Sequence, residues 1–544
     1  MVEKDAMEVD DNAAASNEVG ADEVAVASGE MKETSTLAGA ENVAKKEDGG
    51  SSPPPASTKK KKSPGNNGRK ADEKKEGKEA AAPALKTVTI KDLLTDKKYC
   101  KKLERVCYFH HEDMAIFDHP ASHLARPFRA AMAHEILASS GVYGKYLDPI
   151  RPRLATRTDI GQYHSDNYVA TLQTADDFLK TWPQDVAQQA ARNYVGLGRE
   201  STNGSSAQRK SNQKGKRKRE EKFQFFSDGK SKIEKYLKRF NLCIPNPEWF
   251  AQTPCPLFPG LYDYCRMYAS GSLGCAQRIN SKLTRIAVNW YGGMHHARSS
   301  YASGGCYVND CVLAILELLK HHHRVLYVDL DRTHGDAVEE AFLTTDRVAT
   351  LSLHSCPSRG EWPCTGSVED IGIQAGEGFA VNVPLLSGTD DSTFSSAFKK
   401  VLMKAKKVYA PDAVVVQCGG GALAGEKLSD FNVTLSGYGA CVKQLRNLGL
   451  PLLALGGGGT NLANVSRLWA YLTLVLMGCN ADPADAHLEI TIPEECKYRD
   501  YYGPTHLLNV LPSTQDNSND EAVMKKTLKS ALAAMGKASK AAVS

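Results

Sequence analysis

Residues 324–336 read Arg324-Val325-Leu326-Tyr327-Val328-Asp329-Leu330-Asp331-Arg332-Thr333-His334-Gly335-Asp336. The first part is a short apolar run, which predicts a buried strand. The remainder is polar and acidic, which predicts the turn that ends it. The same pattern recurs on both sides, in Arg105-Val106-Cys107-Tyr108-Phe109, Arg285-Ile286-Ala287-Val288-Asn289, Val348-Ala349-Thr350-Leu351-Ser352-Leu353, Gly378 to Val383, Ala413-Val414-Val415-Val416 and Pro451-Leu452-Leu453-Ala454-Leu455. Helical periodicity lies between most of them, at Val312 to Leu319, Phe394 to Ala405, Tyr438 to Leu448 and Asn464 to Met477. Apolar strands alternating with amphipathic helices predict βαβ units and an α/β fold, with a central parallel sheet covered by helices on both faces. In such sheets the chemistry sits at the carboxyl ends of the strands.

Outside that core the composition changes. The chain has 544 residues, 42% hydrophobic and 24% charged, enough for a large core. No stretch approaches the ~18 uninterrupted apolar residues of a membrane helix, and the acidic start does not resemble a signal peptide. The net charge of +5 hides separate blocks. Residues 1–42 carry 11 acids against 2 Lys, whereas 43–86 carry 12 bases against 6 acids. With almost no aromatics, residues 1–85 are read as a disordered tail, acidic and then basic. The run Lys59-Lys60-Lys61-Lys62 suits a nuclear-import receptor, and a solvated linker run accounts for it equally well. A second unpatterned stretch, 196–229, is read as a disordered basic insertion; its Lys214-Gly215-Lys216-Arg217-Lys218-Arg219 is the stronger import candidate, with phosphate binding as the alternative. Residues 513–544 are again polar and are read as a C-terminal tail, within which Glu521 to Ala534 has helical character. The 14 Cys show no CxxC pair and are read as reduced, mostly buried thiols.

Four unusual runs fall at predicted strand ends: Gly292-Gly293-Met294-His295-His296-Ala297, Asp329 to Asp336, Gln417-Cys418-Gly419-Gly420-Gly421 and Gly456-Gly457-Gly458-Gly459-Thr460. Adjacent His residues with carboxylates available to fix their tautomers suggest a general acid/base site. Together with Gly304-Gly305-Cys306-Tyr307-Val308-Asn309-Asp310, Val338-Glu339-Glu340-Ala341-Phe342, Asp370-Ile371-Gly372, Ala380-Val381-Asn382 and Tyr501-Tyr502-Gly503-Pro504, these runs resemble the histone deacetylases, of the class I type within the arginase-deacetylase superfamily. The likeness spans roughly Val106 to Leu508. It implies a single domain over about 100–512, with an eight-stranded parallel sheet and a zinc amidohydrolase site.

Read through that resemblance, His295 and His296 are the proton-handling pair, and Asp329 and Asp336 are the carboxylates that buttress them. The family's three zinc ligands fall at Asp331, Thr333 and Gly421, so one is kept. The family's oxyanion-stabilising Tyr falls at Thr460. A catalytic zinc site has three protein ligands, and one carboxylate does not hold the ion tightly. The strand's period of two turns His334 away from Asp331 and Thr333, so it is no substitute ligand. Loss of one oxyanion donor costs on the order of 10² to 10³ in rate. In the substrate groove, Gly305 replaces a Phe and Trp362 keeps an aromatic wall. Asp329, Asp331 and Ser352 match a structural monovalent-cation site, which implies potassium.

The leading expectation is a nuclear histone deacetylase homologue in chromatin regulation and gene silencing, acting as a catalytically degenerate scaffold or regulatory subunit. The alternatives are a lysine deacetylase with a reorganised site and an acyl-lysine reader that uses Trp362 and the space beside Gly305. Expected partners are chromatin or corepressor proteins, an active deacetylase paralogue and histone tails, with no membrane and no sequence-specific DNA contact.

Overall fold

The β-branched runs do become strands, and their register brings the four unusual loops to one edge. The structure is a computed structural model that describes residues 85–117, 126–180, 233–243, 255–356, 362–427 and 429–541. Eight parallel strands form the central sheet in the spatial order Leu147–Ile150, Val106–Phe109, Ile286–Asn289, Leu452–Leu455, Ala413–Gln417, Val325–Asp329, Val348–Ser355 and Ala380–Leu385. The four central ones are buried along their whole length, which is why they read as continuous apolar runs. Gln417 lies opposite Asp329, and Asp329 opposite Ser352. The loops after Asn289, Asp329, Gln417 and Leu455 therefore leave the sheet side by side.

The direction of strand addition sets the faces. Helix Asp310–Leu318 carries the chain from Ile286–Asn289 across to Val325–Asp329. Helices Asp391–Tyr409 and Leu435–Arg446 bring it back the other way. Right-handed crossovers in opposite directions place their helices on opposite faces. On the returning face, helices Phe128–Ser139, Leu462–Met477, Leu435–Arg446, Asp391–Tyr409 and Glu521–Ala541 pack in that order, each against the next. The other face is covered by Leu261–Asn280 against Asp310–Leu318.

Three sequence expectations change. The strand Leu147–Ile150 has no counterpart among the quoted runs. It contains Pro149, which removes a ladder donor and is tolerated because this strand is at the sheet edge. The folded body begins near residue 86 rather than 100: Lys86–Thr89 pairs in parallel with Leu488–Thr491 and leads into a helix whose Thr89 and Asp92 form a capping box. Residues 513–544 are not simply a tail, because helix Glu521–Ala541 buries Leu528, Ala531, Met535 and Ala538 and packs on Asp391–Tyr409 and on the edge strand Ala380–Leu385. Its buried face is mostly Ala, so it carries a weak hydrophobic signal along the sequence. Lys59 to Lys62 and the 196–229 insertion with Lys216, Arg217, Lys218 and Arg219 lie outside the described residues.

Candidate functional site

The turn after Ile286–Asn289 carries the two histidines and is held by a buried acid. Asp310 accepts from the backbone N–H of Gly293 at 2.9 Å and of Met294 at 2.8 Å, and from Ser272 Oγ at 2.6 Å. Asn309 donates to the carbonyls of His295 and Ala297 at 3.3 and 3.0 Å, which fixes the other end of the turn. With the backbone so pinned, His295 Nδ1 meets Asp329 Oδ2 at 2.7 Å and His296 Nδ1 meets Asp336 Oδ1 at 2.7 Å. Tyr327 also donates to Asp329 at 2.7 Å, and Arg298 bonds the second oxygen of Asp336. All four members of the acid/base constellation are buried and in place.

Their electrostatics differ. Burial alone would lower His295, but the Asp329 carboxylate, with Asp331 and Asp336 behind it, raises it to about 9. Burial and the neighbouring His295 charge lower His296. At neutral pH the pair is therefore an imidazolium beside a neutral imidazole, with ring centroids 3.9 Å apart. Against burial, which raises it, His296 and Arg298 bring Asp336 down to about 2.

The raised His295 has a pH signature. A group with a higher pKa folded than unfolded adds stability below its unfolded value and loses it as pH rises through its folded value. Chemical denaturation is therefore expected to show stability falling between pH 6.5 and about 9, by ~1–3 kcal/mol. His295→Gln removes most of that slope. An equal slope in wild type and variant would refute the protonation assigned to His295.

The metal positions look different. The strand stops at Asp329, and the following turn points Asp331 and Thr333 toward the histidines. Asp331 is satisfied by the protein: Oδ2 accepts from Gln417 Nε2 at 3.0 Å and Gly458 N–H at 2.9 Å, and Oδ1 from Arg332 N–H at 2.8 Å. Thr333 Oγ1 lies 3.1 Å from His296 Nε2. Gly421 comes so close to Asp331 that a Cβ there would sit 2.2 Å from Oδ1. His334 points elsewhere, to Thr365 at 2.9 Å and Glu339 at 3.2 Å. Thr460 donates both its N–H and its hydroxyl to Glu426, each at 2.6 Å. Among the described residues no three His, Cys, Asp or Glu side chains form a group able to hold a metal ion. The donors present, one carboxylate already bonded on both oxygens and one hydroxyl, do not match the three-ligand set of catalytic zinc. The cation positions Asp329, Asp331 and Ser352 do adjoin: Asp331 N–H bonds Asp329 Oδ1 at 3.1 Å, and Ser352 sits in register with Asp329 while its Oγ contacts His354 Nδ1 at 2.8 Å.

The cavity above the histidines is small, about 100 Å³, below the usual range for ligand pockets. Gly304, not Gly305, lines it; a Cβ on Gly304 would meet the Trp362 ring at 2.3 Å. Trp362 packs edge-on against His296 with centroids 4.4 Å apart and closes over Gly304. Arg129 carries no local signal in the sequence. Its buried guanidinium donates to the carbonyls of Gly457, Gly458 and Gly459 at 2.8, 2.6 and 2.6 Å and stacks on Trp469 at 4.9 Å. Gln417, Glu426 and Arg129 together position the glycine loop. Each acts through long-range partners, so only the Gln417 run carried a local signal.

A family model described as histone deacetylase domain matches residues 123–476. Histone deacetylase 1 of Homo sapiens is 37% identical over 426 residues, covering 78% of this chain and 73% of that protein. Type-1 histone deacetylase 1 of Dictyostelium discoideum is 36% identical, covering 78% and 71%. Histone deacetylase 19 of Arabidopsis thaliana is 37% identical, covering 77% and 70%. The parallel eight-stranded sheet, the paired His–Asp dyads at its carboxyl edge and these matches along most of its length make this chain a member of the histone deacetylase family, of the class I-like type.

Proposed function

We propose that the chain is a histone deacetylase homologue that serves nuclear chromatin regulation and gene silencing as a scaffold or regulatory subunit, without zinc-dependent hydrolysis. The observation that carries this reading is Asp331. Where a catalytic metal would draw its carboxylate, Gln417 Nε2 and the N–H groups of Gly458 and Arg332 already take it. Thr333, Gly421 and Thr460 supply neither the missing ligands nor the oxyanion donor. The α/β framework shared with the family supports the reading of assembly with chromatin or corepressor proteins, an active paralogue among them, and of contact with histone tails. Potassium at Asp329, Asp331 and Ser352 would serve the strand-end loops rather than chemistry.

A second reading, a lysine deacetylase with a reorganised site, is favoured by one observation: both His–Asp dyads are complete, at 2.7 Å each. Elemental analysis together with turnover of acetyl-lysine peptides separates the two. The scaffold reading expects zinc far below one ion per chain and equal background rates in wild type and His295→Ala. One tightly held zinc per chain, with turnover that His295→Ala abolishes, would establish the enzyme instead.

A further inference from the structure

Two helices far apart in sequence combine into a lysine-rich face. In Asp391–Tyr409 the exposed lysines are Lys399, Lys400, Lys406 and Lys407. At 100° per residue they fall within an arc of about 120° centred on Met403, itself 58% exposed. In Glu521–Ala541 the exposed Lys525, Lys526 and Lys529 fall within an arc of about 100°, opposite the buried Ala531, Met535 and Ala538.

The two helices pack on each other, and contacts at both their starts and their ends make them run in the same direction. Asn517, just before the second, bonds Thr393 in the first turn of the first at 2.8 Å. Their last turns converge on Gly378, whose carbonyl accepts from Tyr409 OH at 2.6 Å and whose α-carbon abuts Ala534 and Ala538. At ~1.5 Å rise per residue, Lys399 and Lys400 stand about 12–14 Å along the first helix and Lys525 to Lys529 about 6–12 Å along the second. The two sets are thus neighbours. The acids of these helices, Asp391 and Glu521, sit in the first turns. Among the described residues, Lys537 with Glu377 is the only ion pair made by a lysine of either helix. The adjoining helix Leu435–Arg446 adds exposed Lys443.

We propose that this face binds the phosphate backbone of duplex DNA without reading sequence. The charges are lysine points on convex helices, which suits a row of phosphates and offers no arginine fork for base edges. Single strands are disfavoured, because Met403 is the one large exposed apolar side chain on the first helix and, among the described residues, neither helix exposes an aromatic to stack bases. A membrane surface is disfavoured for the same lack of apolar anchors. The inference is independent of whether the site hydrolyses anything.

The test is fluorescence anisotropy of the full chain with two 30-bp duplexes of unrelated sequence over a salt series, with polyglutamate as competitor. Expected are equal affinities for the two duplexes and a steep log–log salt dependence. Lys399→Gln/Lys400→Gln/Lys407→Gln should make that slope shallower by about 2–3, at ~0.9 per phosphate contact, and weaken binding at low salt at least ten-fold. Lys525→Gln/Lys526→Gln/Lys529→Gln should do the same. Comparison within the full chain keeps the basic runs at Lys59–Lys62 and Lys216–Arg219 constant. If both triple variants, with unchanged thermal midpoints, keep the wild-type slope, the proposal is wrong. If a variant unfolds, single Lys→Gln changes carry the same reading, at about one unit of slope each. Polyglutamate displacing the duplex at equal charge concentration would assign the face to an acidic protein and overturn the DNA reading.

Discussion

Replacing Arg129 by Met is expected to destabilise the protein by ~2–4 kcal/mol. The side chain is only 2% exposed, and its guanidinium satisfies the successive carbonyls of Gly457, Gly458 and Gly459. Burial lowers its pKa to about 10, so it remains charged at neutral pH. Two effects oppose each other. Met relieves the desolvation of a buried cation, which is favourable. It also strands the carbonyls of Gly457 and Gly459, while that of Gly458 keeps the N–H of Gly420 at 2.9 Å, in a loop that cannot turn to water, because Gly458 N–H is tied to Asp331 and Thr460 to Glu426. An unsatisfied buried polar group costs ~1–3 kcal/mol, so two outweigh the relief. Arg129→Lys, with one ammonium for three acceptors, should fall between the two. Urea denaturation measures this, and a change in Arg129→Met below about 0.5 kcal/mol would show that the guanidinium does not hold the loop.

Restoring the family ligands, Thr333→His with Gly421→Asp, should create zinc-dependent stability where the wild type has none. A side chain at Gly421 pushes into Asp331, whose Oδ1 is 2.2 Å from the position of the new Cβ. Asp331 must then leave its bonds to Gln417 and Gly458, and two carboxylates face each other at close range. Without metal the double variant should lose ~2–3 kcal/mol, from crowding and like-charge repulsion. With free zinc at about 100 times its dissociation constant it should recover ~2.7 kcal/mol. The wild type, with Asp331 alone, should not respond. Thermal melts with chelator and with zinc decide it. A wild type stabilised by zinc as much as the variant would contradict the reading of Asp331 as an internally satisfied acid.

Much of this was legible along the chain. Seven of the eight sheet strands are apolar runs bounded by turns, and burial of those runs on both faces is what made them readable. His295, His296, Asp329 and Asp336, and the residues Asp331, Thr333, Gly421 and Thr460 that the family resemblance singles out, are matters of residue identity, which no tertiary contact can alter. The strand at Leu147–Ile150 was hidden by Pro149, and the last helix by its Ala-rich buried face.

Tertiary structure alone decided where each polar group finds its partner. Asp331 meets Gln417 86 positions away and Gly458 127 away, and Arg129 reaches glycines more than 320 positions away. Periodicity reports which side of an element is apolar, not which element faces it. For that reason the closure of Trp362 over Gly304, and the joining of lysines from 399–407 with those from 525–529, became visible only in the packed helices and loops. Along the chain, the apolar runs were enough to set the sheet, and residue identity was enough to name His295, His296, Asp329, Asp331 and Asp336. The packing determined that the freed Asp331 is held by the protein's own hydrogen bonds, because a buried carboxylate must find donors wherever the fold brings them.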